Sequence, residues 1–550
     1  MSKLNVEQVK RESAGLRGPL ATDLASSDAF LSEAGKVLIK FHGSYEQSDR
    51  DRRSAREYAF MVRSKLPGGQ LSAAQYLAHD AIAATHGNGT LRVTTRQGIQ
   101  FHGVIKGELR ETIRAINHSM ATTFGACGDV VRNVMCCPAH AGDAERDRIQ
   151  RLALELSRAT LPRTRAYHQI WLDGEPLVDD GDEAEPLYGE TYLPRKFKTG
   201  IALAGDNCVD IFTHDAGFIA LFDANGRLQG FNVLAGGGMG LTHNKEETFA
   251  RLADVVGFVA PDRVLETLIA IVGVHRDFGD RTNRKRARLK YVLHEWGLER
   301  FRAELSARLS FNLLPPRPLP AFEARDHMGW EAHGDGQWSL GLPIESGRIA
   351  DRAEHRTRAG LRTILERTGA SVRLTPQQNV LLVGIADRDR ASVEHALREH
   401  GMRTIDRITP VERLALACPA LPTCGLALTE AERVLPGIRA DVDAALADAG
   451  LPGEAVSVRV TGCPNGCARP YVAELALVGR TGNRYLIYAG GNREGTRLAQ
   501  PLFDLVPVTE LRTRLGPLFV RYRHERTSGE SFGDFCHRVG VTTLAGEVVS

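Results

Sequence analysis

Four cysteines in the last third of the chain have the residue type and spacing of a metal centre. They form two pairs, Cys418-x5-Cys424 and Cys463-x3-Cys467. Sets of four thiolates hold either iron–sulfur clusters or zinc. Both spacings are wider than the C-x2-C pairs typical of four-cysteine zinc sites, and the Pro and Asn-Gly residues within the pairs suit tight loops around a cluster. The pattern favours an iron–sulfur cluster over zinc.

The segments around these cysteines predict how they are positioned. Apolar residues recur at helical spacing between Glu430 and Gly450, and residues 456–460 alternate as in a strand that runs into Cys463. Both cysteine pairs are therefore expected in loops at the ends of regular elements.

A polar stripe is predicted in the first quarter of the chain. Leu91–His102 has the composition of a single β-strand, and period-two alternation then places Arg92, Thr94, Arg96, Gly98, Gln100 and His102 on one face. Such a face either lies in solvent or, if buried, needs an anion to offset its charge. The central glycine favours close approach of a ligand to the backbone.

Three stretches of the chain recur in the same order, which indicates a duplicated architecture with pseudo-twofold symmetry. The paired stretches are 65–71 with 341–349, 91–102 with 372–380, and 226–237 with 482–491. Gln377 occupies the position of Arg96, so only one of the two halves is expected to retain the anion site.

Further basic residues lie between the copies. In an extended Lys196-Phe-Lys198 both ammonium groups share one face, although exposed lysines are also common for solubility alone. Residues 281–290 hold six basic residues and no acid, which suggests a nucleic-acid patch or a wall facing a polyanionic small ligand. The run has no interleaved aromatic residues, which argues against single-stranded nucleic acid.

Composition sets the remaining limits. The chain has 550 residues, 43% hydrophobic and 25% charged, with a formal net charge of +3, so three or four soluble domains and no general polyelectrolyte partner are expected. Neither a secretory signal nor a membrane-spanning helix is predicted. Nine cysteines, an odd number, suggest a reducing, cytoplasmic setting. Cys127, Cys136, Cys137, Cys208 and Cys536 are expected to be inert buried thiols.

Taken together, these motifs resemble the siroheme sulfite/nitrite reductase family along almost the whole chain. The resemblance runs from Phe41-His-Gly through Leu193-Pro-Arg-Lys-Phe-Lys-Thr and Thr461-Gly-Cys-Pro-Asn-Gly-Cys to Ser531-Phe-Gly-Asp-Phe535. Departures include Cys137, where a threonine is often found, and Arg288, where a lysine is usual.

The resemblance implies an α+β fold with duplicated ferredoxin-like (parachute) repeats and two siroheme/Fe–S-type α/β domains related by a pseudo-twofold axis. The implied domains are an N-terminal arm (1–60), a duplicated ferredoxin-like domain (61–124 and 329–404), a siroheme- and substrate-binding domain (125–328) and a cluster domain (405–550). The arm is expected to be solvated and partly mobile, with docking of a partner as the alternative.

The resemblance also implies a site: a [4Fe–4S] cluster held by Cys418, Cys424, Cys463 and Cys467, with Cys467 also ligating the siroheme iron. Substrate-binding bases would be Arg63, Arg132, Lys196 and Lys198, and siroheme-binding residues would be Arg92, Arg96, Gln100, His102, Arg195 and Asn465. The implied reaction is the six-electron reduction of sulfite to sulfide, with nitrite reduction as the alternative and a zinc-stabilised nucleic-acid-binding protein as a distant one.

No flavin or nicotinamide site is evident in the sequence, so electrons must come from a partner. The implied partner is an NADPH-dependent flavoprotein subunit, and ferredoxin stays open as the other donor. A small anion is the expected substrate, without nucleic acid or membrane as partners.

Overall fold

A computed structural model of the chain describes residues 4–51, 58–138, 144–163, 171–172, 175–176 and 185–548. Part of the charged stretch at the end of the predicted arm, residues 52–57, lies outside these ranges. The helices in the described part are α1 (Val6–Arg11), α2 (Leu20–Ala25), α3 (Glu33–Leu38), α4 (Ala73–His86), α5 (Leu109–His118), α6 (Ala144–Ala159), α7 (Val264–Phe278), α8 (Leu289–Ala307), α9 (Thr357–Thr368), α10 (Arg390–Glu399), α11 (Pro410–Arg413), α12 (Leu435–Asp448), α13 (Leu511–Glu525), α14 (Phe532–Val539) and α15 (Val541–Val548).

Within the described ranges, the strands form four five-stranded sheets and one short hairpin. They are β1 (Ser44–Ser48), β2 (Tyr58–Arg63), β3 (Gln70–Leu71), β4 (Leu91–Val93), β5 (Ile99–Val104), β6 (Val131–Cys136), β7 (Trp171–Leu172), β8 (Glu175–Pro176), β9 (Phe197–Leu203), β10 (Ala216–Phe222), β11 (Leu228–Ala235), β12 (Asp254–Val259), β13 (Gly329–Ala332), β14 (Gln337–Leu342), β15 (Arg348–Ile349), β16 (Ser371–Leu374), β17 (Val380–Ala386), β18 (Leu416–Ala417), β19 (Val458–Thr461), β20 (Leu475–Thr481), β21 (Arg484–Ala489) and β22 (Gln500–Pro507).

Two of the sheets exchange a strand. Their orders are β1-β2-β5-β4-β15 and β13-β14-β17-β16-β3, so each sheet is completed by a two-residue strand from the other half of the chain. β3 pairs with β16 and β15 pairs with β4, both antiparallel. This reciprocal exchange ties the two halves together, and it accounts for the repetition of residues 65–71 at 341–349.

The predicted single strand at Leu91–His102 is wrong, because the segment is a hairpin. β4 and β5 are joined by a tight turn at residues 94–98, in which Gln97 has a φ of +55°. The Thr94 hydroxyl accepts hydrogen bonds from the amides of Arg96 and Gly98, which closes the turn. The polar face survives this correction in part, because Arg92 lies directly opposite Gln100 in the antiparallel register.

The second copy of this hairpin, β16–β17, meets the first across the pseudo-twofold axis. Gln97 donates to the carbonyl oxygen of Leu374 at 2.9 Å, and Gln378 donates to that of Val93 at 3.4 Å. Each side-chain amide thus links its own turn to the other half of the chain. Paired turns of this kind confirm the predicted duplication.

Glycine is required on both sides of this contact. Gly69 and Gly347 have φ values of +71° and +72°, and a Cβ on either would lie 2.5 Å from the carbonyl oxygen of Leu374 or 2.2 Å from that of Val93. A side chain would both strain the backbone and separate the two halves.

The other two large sheets share one topology. In the orders β6-β9-β10-β11-β12 and β18-β19-β20-β21-β22, the first three strands are parallel and the last two antiparallel. β11 and β21 occupy equivalent places, which explains the third sequence repeat. The predicted α+β class with two ferredoxin-like halves and two further mixed domains is confirmed.

The N-terminal region differs from the expected mobile arm. Residues 4–44 form α1 to α3 and bury Leu16, Leu38 and Phe41 in the main core. The Lys10 ammonium is buried and donates to the carbonyl oxygen of Leu193 at 2.9 Å. The apolar residues that anchor this region are too irregularly spaced to give a periodic signal in the sequence. Among the described residues, no helix is long and apolar enough to cross a membrane.

Candidate functional site

The two cysteine pairs lie side by side at the carboxyl ends of neighbouring parallel strands. Cys418 directly follows β18, and Cys463 follows β19 by one residue. The amide of Cys418 donates to the carbonyl oxygen of Val460 at 3.2 Å, which fixes the first pair to the strand that precedes the second. The predicted placement in loops at element ends is confirmed.

Protein donors already point at two of the sulfur atoms. The amide of Gly462 lies 3.3 Å from the Cys418 Sγ, and the side-chain amide of Asn465 lies 3.5 Å from the Cys463 Sγ. Burial and then the neighbouring Cys467 raise the pKa of Cys463 to about 11, and the same two causes raise that of Cys418. Neighbouring thiolates that oppose one another's ionisation need a shared cation to stay ionised, so the four residues fit a metal cluster.

The hairpin turn at residues 94–98 closes over Cys467, the most exposed of the four thiols. The Thr95 hydroxyl donates to the carbonyl oxygen of Cys467 at 2.9 Å. Arg469 donates to the carbonyl oxygen of Thr95 at 2.8 Å and is ion-paired with Asp210. These contacts bring the first ferredoxin-like half, and with it Arg96, against the cysteine loop.

A cationic pocket lies beside Cys467. Its members come from β2, the 94–98 turn, β6 and the start of β9, and they are Arg63, Arg96, Arg132, Arg195, Lys196 and Lys198. Burial, then the charges of Lys196 and Arg288, lower the pKa of Lys198 well below its ordinary value, while the Cys467 thiolate acts in the opposite direction. Burial and then Arg195 lower the pKa of Lys196 to about 7.

The lysines are held in place through the backbone of β9. The Lys198 amide donates to Asp215 at 2.8 Å, and Asp215 is fully buried in a bidentate pair with Arg288 at 2.9 and 2.7 Å. The Asp215 carboxylate is therefore paired with Arg288 and does not neutralise the lysines. Within the described ranges, neither Lys196 nor Lys198 has a hydrogen-bond partner for its ammonium group.

The arginines of the pocket are only partly satisfied. Arg132 donates to the carbonyl oxygen of Gly128 at 2.8 Å, and Tyr45 lies close enough to influence its pKa. Arg63 donates to the Cys127 Sγ at 3.1 Å, and its Nε is buried without a partner. Arg96 donates to the carbonyl oxygens of Asn133 and Thr199, yet its Nε is also unpartnered.

The predicted siroheme-binding residues divide into two groups. Gln100 and His102 are buried, and neither the Gln100 Oε1 nor either ring nitrogen of His102 has a partner among the residues described. Arg195 lies 3.9 Å from Asp129 and keeps about a third of its side chain exposed. These residues leave polar atoms available to a ligand.

Arg92 belongs to the other group, because its Nε and one Nη are paired within the protein. It donates to Glu432 at 2.9 Å and to the carbonyl oxygen of Ala417 at 2.9 Å. Glu432 also accepts two hydrogen bonds from Arg348. Arg92 therefore supports the strand that ends at Cys418, a role the sequence did not suggest.

The basic run at residues 281–290 is mainly internal. Arg284 pairs with Asp129 at 2.9 Å, Arg288 with Asp215, and Lys290 donates to the carbonyl oxygen of Gly240 at 2.7 Å. Because these charges are paired inside the protein, they do not form a nucleic-acid-binding patch. Lys290 instead holds residues 236–240, whose last glycine packs against Asn465.

The geometry defines a class of protein. Four thiols suited to a redox cluster lie next to a pocket with an excess of partly buried positive charge and unpartnered polar atoms, which fits an anionic cofactor and a small anionic substrate. The fold and site are those of a metalloenzyme that reduces a small oxyanion.

Comparison with known proteins identifies the family. The model of the nitrite and sulphite reductase 4Fe-4S domain matches residues 155–313, and that of the nitrite/sulfite reductase ferredoxin-like half domain matches 53–119 and 331–400. The chain belongs to the nitrite/sulfite reductase family, as the sequence motifs predicted.

Full-length relatives and a solved structure agree with this assignment. The chain is 47% identical to the sulfite reductase [NADPH] hemoprotein beta-component of Myxococcus xanthus, over 97% of this chain and 96% of that one. It is 44% identical to the sulfite reductase [ferredoxin] of Synechococcus elongatus, over 98% and 90%. The fold matches the Mycobacterium tuberculosis NirA structure with a TM-score of 0.80 at 23% identity, covering 99% and 98%.

Proposed function

We propose that the protein reduces sulfite to sulfide at a siroheme coupled to a [4Fe–4S] cluster. The observation that supports this most strongly is the cationic pocket beside Cys467, which lacks acidic partners for Lys196 and Lys198 among the described residues. Like charges gathered in a low-dielectric site repel one another by several kcal/mol per close pair. Burial and this repulsion lower the pKa values of Lys196 and Lys198, and a bound anion would favour their charged forms.

The residues present fit both cofactors. Cys418, Cys424, Cys463 and Cys467 would hold the cluster, with Cys467 also available to the siroheme iron. Arg96, Gln100, His102, Arg195 and Asn465 would bind the siroheme carboxylates, while Arg92 would act through its support of the Cys418 strand. When bound, the two cofactors supply the electron storage and the multi-electron chemistry.

The protein's own part begins with substrate capture. Guanidinium and ammonium donors from β2, β6 and the beginning of β9 would bind the oxygens of sulfite. They belong to Arg63, Arg132, Lys196 and Lys198. Arginine forks match planar arrays of oxygen, whereas lysine supplies a compact point charge. Binding sulfite would pair these charges with an anion and fix the orientation of that anion.

The lysines can also deliver protons. Reduction of bisulfite to hydrosulfide consumes six electrons and six protons and releases three water molecules, so each departing oxygen must be protonated. The pKa of Lys196, lowered to about 7 by burial and by Arg195, suits a general acid that is reprotonated near neutral pH. Lys198 lies in the same field and would donate only while an anion raises its pKa.

An external donor must supply the electrons. The relatives include a hemoprotein component named with NADPH and an enzyme named with ferredoxin, so both kinds of donor occur among close relatives. We favour an NADPH-dependent flavoprotein subunit, with ferredoxin as the alternative. The residue bounds of the domains, and a reducing, cytoplasmic setting, likewise remain predictions.

The test uses the purified holoenzyme with a chemically reduced dye as donor. Lys196→Ala and Lys198→Ala are each expected to lower sulfite turnover by about 10²-fold or more, since each removes a positioned acid and a charge. Lys245→Ala, at an exposed position, is the matched control. Near-wild-type turnover in both pocket variants would refute the proposed roles, and faster turnover of nitrite than of sulfite would favour the alternative substrate.

A further inference from the structure

A second cluster of metal-ligating side chains lies away from the four cysteines. Cys137, Asp206, Cys208 and His327 offer two sulfurs, a carboxylate oxygen and an imidazole nitrogen that all lie within 4.8 Å of one another. The cysteines are buried, and the side chains of Asp206 and His327 are about nine-tenths buried. We propose that these four residues bind a single Zn²⁺ ion in a structural site.

The three separations among Cys137, Asp206 and His327 match edges of a tetrahedron around zinc. The Cys137 Sγ lies 3.3 Å from the Asp206 Oδ2 and 3.6 Å from the His327 Nε2, and those oxygen and nitrogen atoms lie 3.3 Å apart. Zinc bonds of ~2.3 Å to sulfur and ~2.0–2.1 Å to nitrogen or oxygen imply tetrahedral edges of about 3.3–3.6 Å. A central ion would therefore need little movement of Cys137, Asp206 and His327, and the Cys208 Sγ would close around it from within 4.8 Å of the other three atoms.

The ligands are held by further contacts, as metal ligands commonly are. The other carboxylate oxygen of Asp206 accepts from the amides of Cys208 at 3.0 Å and Arg325 at 3.3 Å, which leaves Oδ2 directed at the cluster. Gln377 donates to the carbonyl oxygen of Cys208 at 2.6 Å. This support orients the donor set before any ion binds.

Pseudo-twofold symmetry gives an independent reason to expect a metal here. Cys137 follows β6 as Cys418 follows β18, and its amide donates to the neighbouring parallel strand in the same way, at 3.3 Å to Ile201. The proposed site thus occupies the place in the first mixed sheet that the cluster loops occupy in the second.

Cys208 is related to Cys467 by the same pseudo-twofold symmetry. Cys208 lies two residues before Asp210, and Cys467 lies two residues before Arg469; both of these following residues have left-handed backbone and begin equivalent short helical turns. The carbonyl oxygens of Cys208 and Cys467 each accept from the opposite hairpin turn, from Gln377 and Thr95. Cys137 and Cys208 therefore occupy the places of Cys418 and Cys467 in the first mixed sheet. Asp206 and His327 complete a ligand set for a single metal ion.

A zinc ion at this site would link three separate segments of the chain. Cys137 directly follows β6, residues 206–208 belong to the loop after β9, and His327 lies in the connection that leads to β13. His327 holds a left-handed backbone with a φ of +56°, a conformation that needs support from its surroundings. A closed four-ligand zinc would fix this connection against the mixed sheet, and it has no open position for catalysis.

Metal analysis of the desalted holoenzyme, purified without oxygen from zinc-containing medium, tests the proposal. We expect about one zinc per chain, with first-shell scattering at the zinc edge from two sulfurs and two nitrogen or oxygen atoms. Cys208→Ser and His327→Gln should lose the zinc and keep the iron content and visible spectrum, while the buried Cys536→Ser control keeps both.

Three results would overturn the proposal. The first is absence of zinc in the folded holoenzyme, including the case in which Cys137 and Cys208 form a disulfide detected by intact mass. The second is zinc that survives both substitutions. The third is a four-sulfur shell, which would place the ion at the cluster cysteines. Because the wild-type scattering experiment needs no variant, a substitution that prevents folding leaves the test decisive.

Discussion

Glu432 is predicted to stabilise the strand that leads into the cluster, although it contacts none of the four cysteines directly. Its carboxylate accepts from Arg92 at 2.9 Å and from Arg348 at 2.7 and 3.0 Å, and only 14% of its side chain is exposed. Arg92 in turn holds the carbonyl oxygen of Ala417, the residue before Cys418. Glu432→Gln removes the charge and keeps the size of the side chain.

The magnitude follows from the pKa of Glu432. Burial raises this pKa, but the charges of Arg92 and Arg348 lower it by a larger amount. The net result is a pKa of about 2, compared with an ordinary 4.5. The difference corresponds to ~3 kcal/mol at 1.36 kcal/mol per pH unit. Removing one partner of a buried ion pair costs about the same, ~3–5 kcal/mol, because it leaves the opposite charge uncompensated.

The assay is hydrogen exchange of a peptide spanning residues 414–420. Its protected amides include Ala417, which donates to Gln378, and Cys418, which donates to Val460. If local opening limits exchange, ~3 kcal/mol corresponds to about 100-fold faster exchange in Glu432→Gln.

The control is Glu430→Gln, whose partner Arg433 is about half exposed, and we expect less than ~1 kcal/mol, or about fivefold.

The pH dependence has a definite sign. Since the folded-state pKa of Glu432 is lowered, its stabilisation is fully present above about pH 4.5 and is lost as the pH falls toward about 2. The ratio of variant to wild-type exchange should therefore be the same at pH 6 and pH 8. Equal exchange of variant and wild type in this peptide at both pH values would refute the reasoning.

Three further predictions concern other parts of the molecule. The wild-type advantage in kcat/KM for sulfite over Lys196→Gln should shrink as pH rises above about 7, where the wild-type lysine loses its proton; a constant ratio would argue against its charge being used. Gly69→Ala should destabilise the fold by ~1–3 kcal/mol in thermal unfolding, because its φ is positive and its Cβ would meet a carbonyl oxygen, whereas Gly107→Ala, in open space, should change little. Deleting residues 1–25 should impair dye-driven and donor-driven reduction alike, since this region is packed into the core; selective loss of donor-driven activity would instead restore the docking hypothesis.

The sequence allowed the family, the fold class and the positions of the cysteines at strand ends to be predicted, because these depend on local motifs and on an ordered repeat. The strand exchange through β3 and β15 was not predictable, since two-residue strands have no pattern of their own. The hairpin at residues 91–102 was missed because the turn uses Gln97 rather than glycine at positive φ. Pairing between strands that are far apart in sequence could not be predicted without the fold.

The site shows the same division. Basic residues could be identified from motifs, but which of their charges remain available depends on partners far away in sequence. Arg92 is paired with Glu432, and Arg288 with Asp215, whereas Lys196 and Lys198 keep unpaired ammonium groups within the described structure. Cys137 and Cys208, expected to be inert, meet His327 from 190 and 119 residues away, and no spacing rule links such residues.

The most direct test of the central claim is product analysis of sulfite reduction by the purified holoenzyme with a dye of known electron content. We expect sulfide as the product, with six electrons consumed per sulfide formed, and a strong loss of rate in Lys196→Ala and Lys198→Ala but not in Lys245→Ala. A colourless protein that contains zinc but no iron, or one that forms no sulfide from sulfite, would show that the proposed function is wrong.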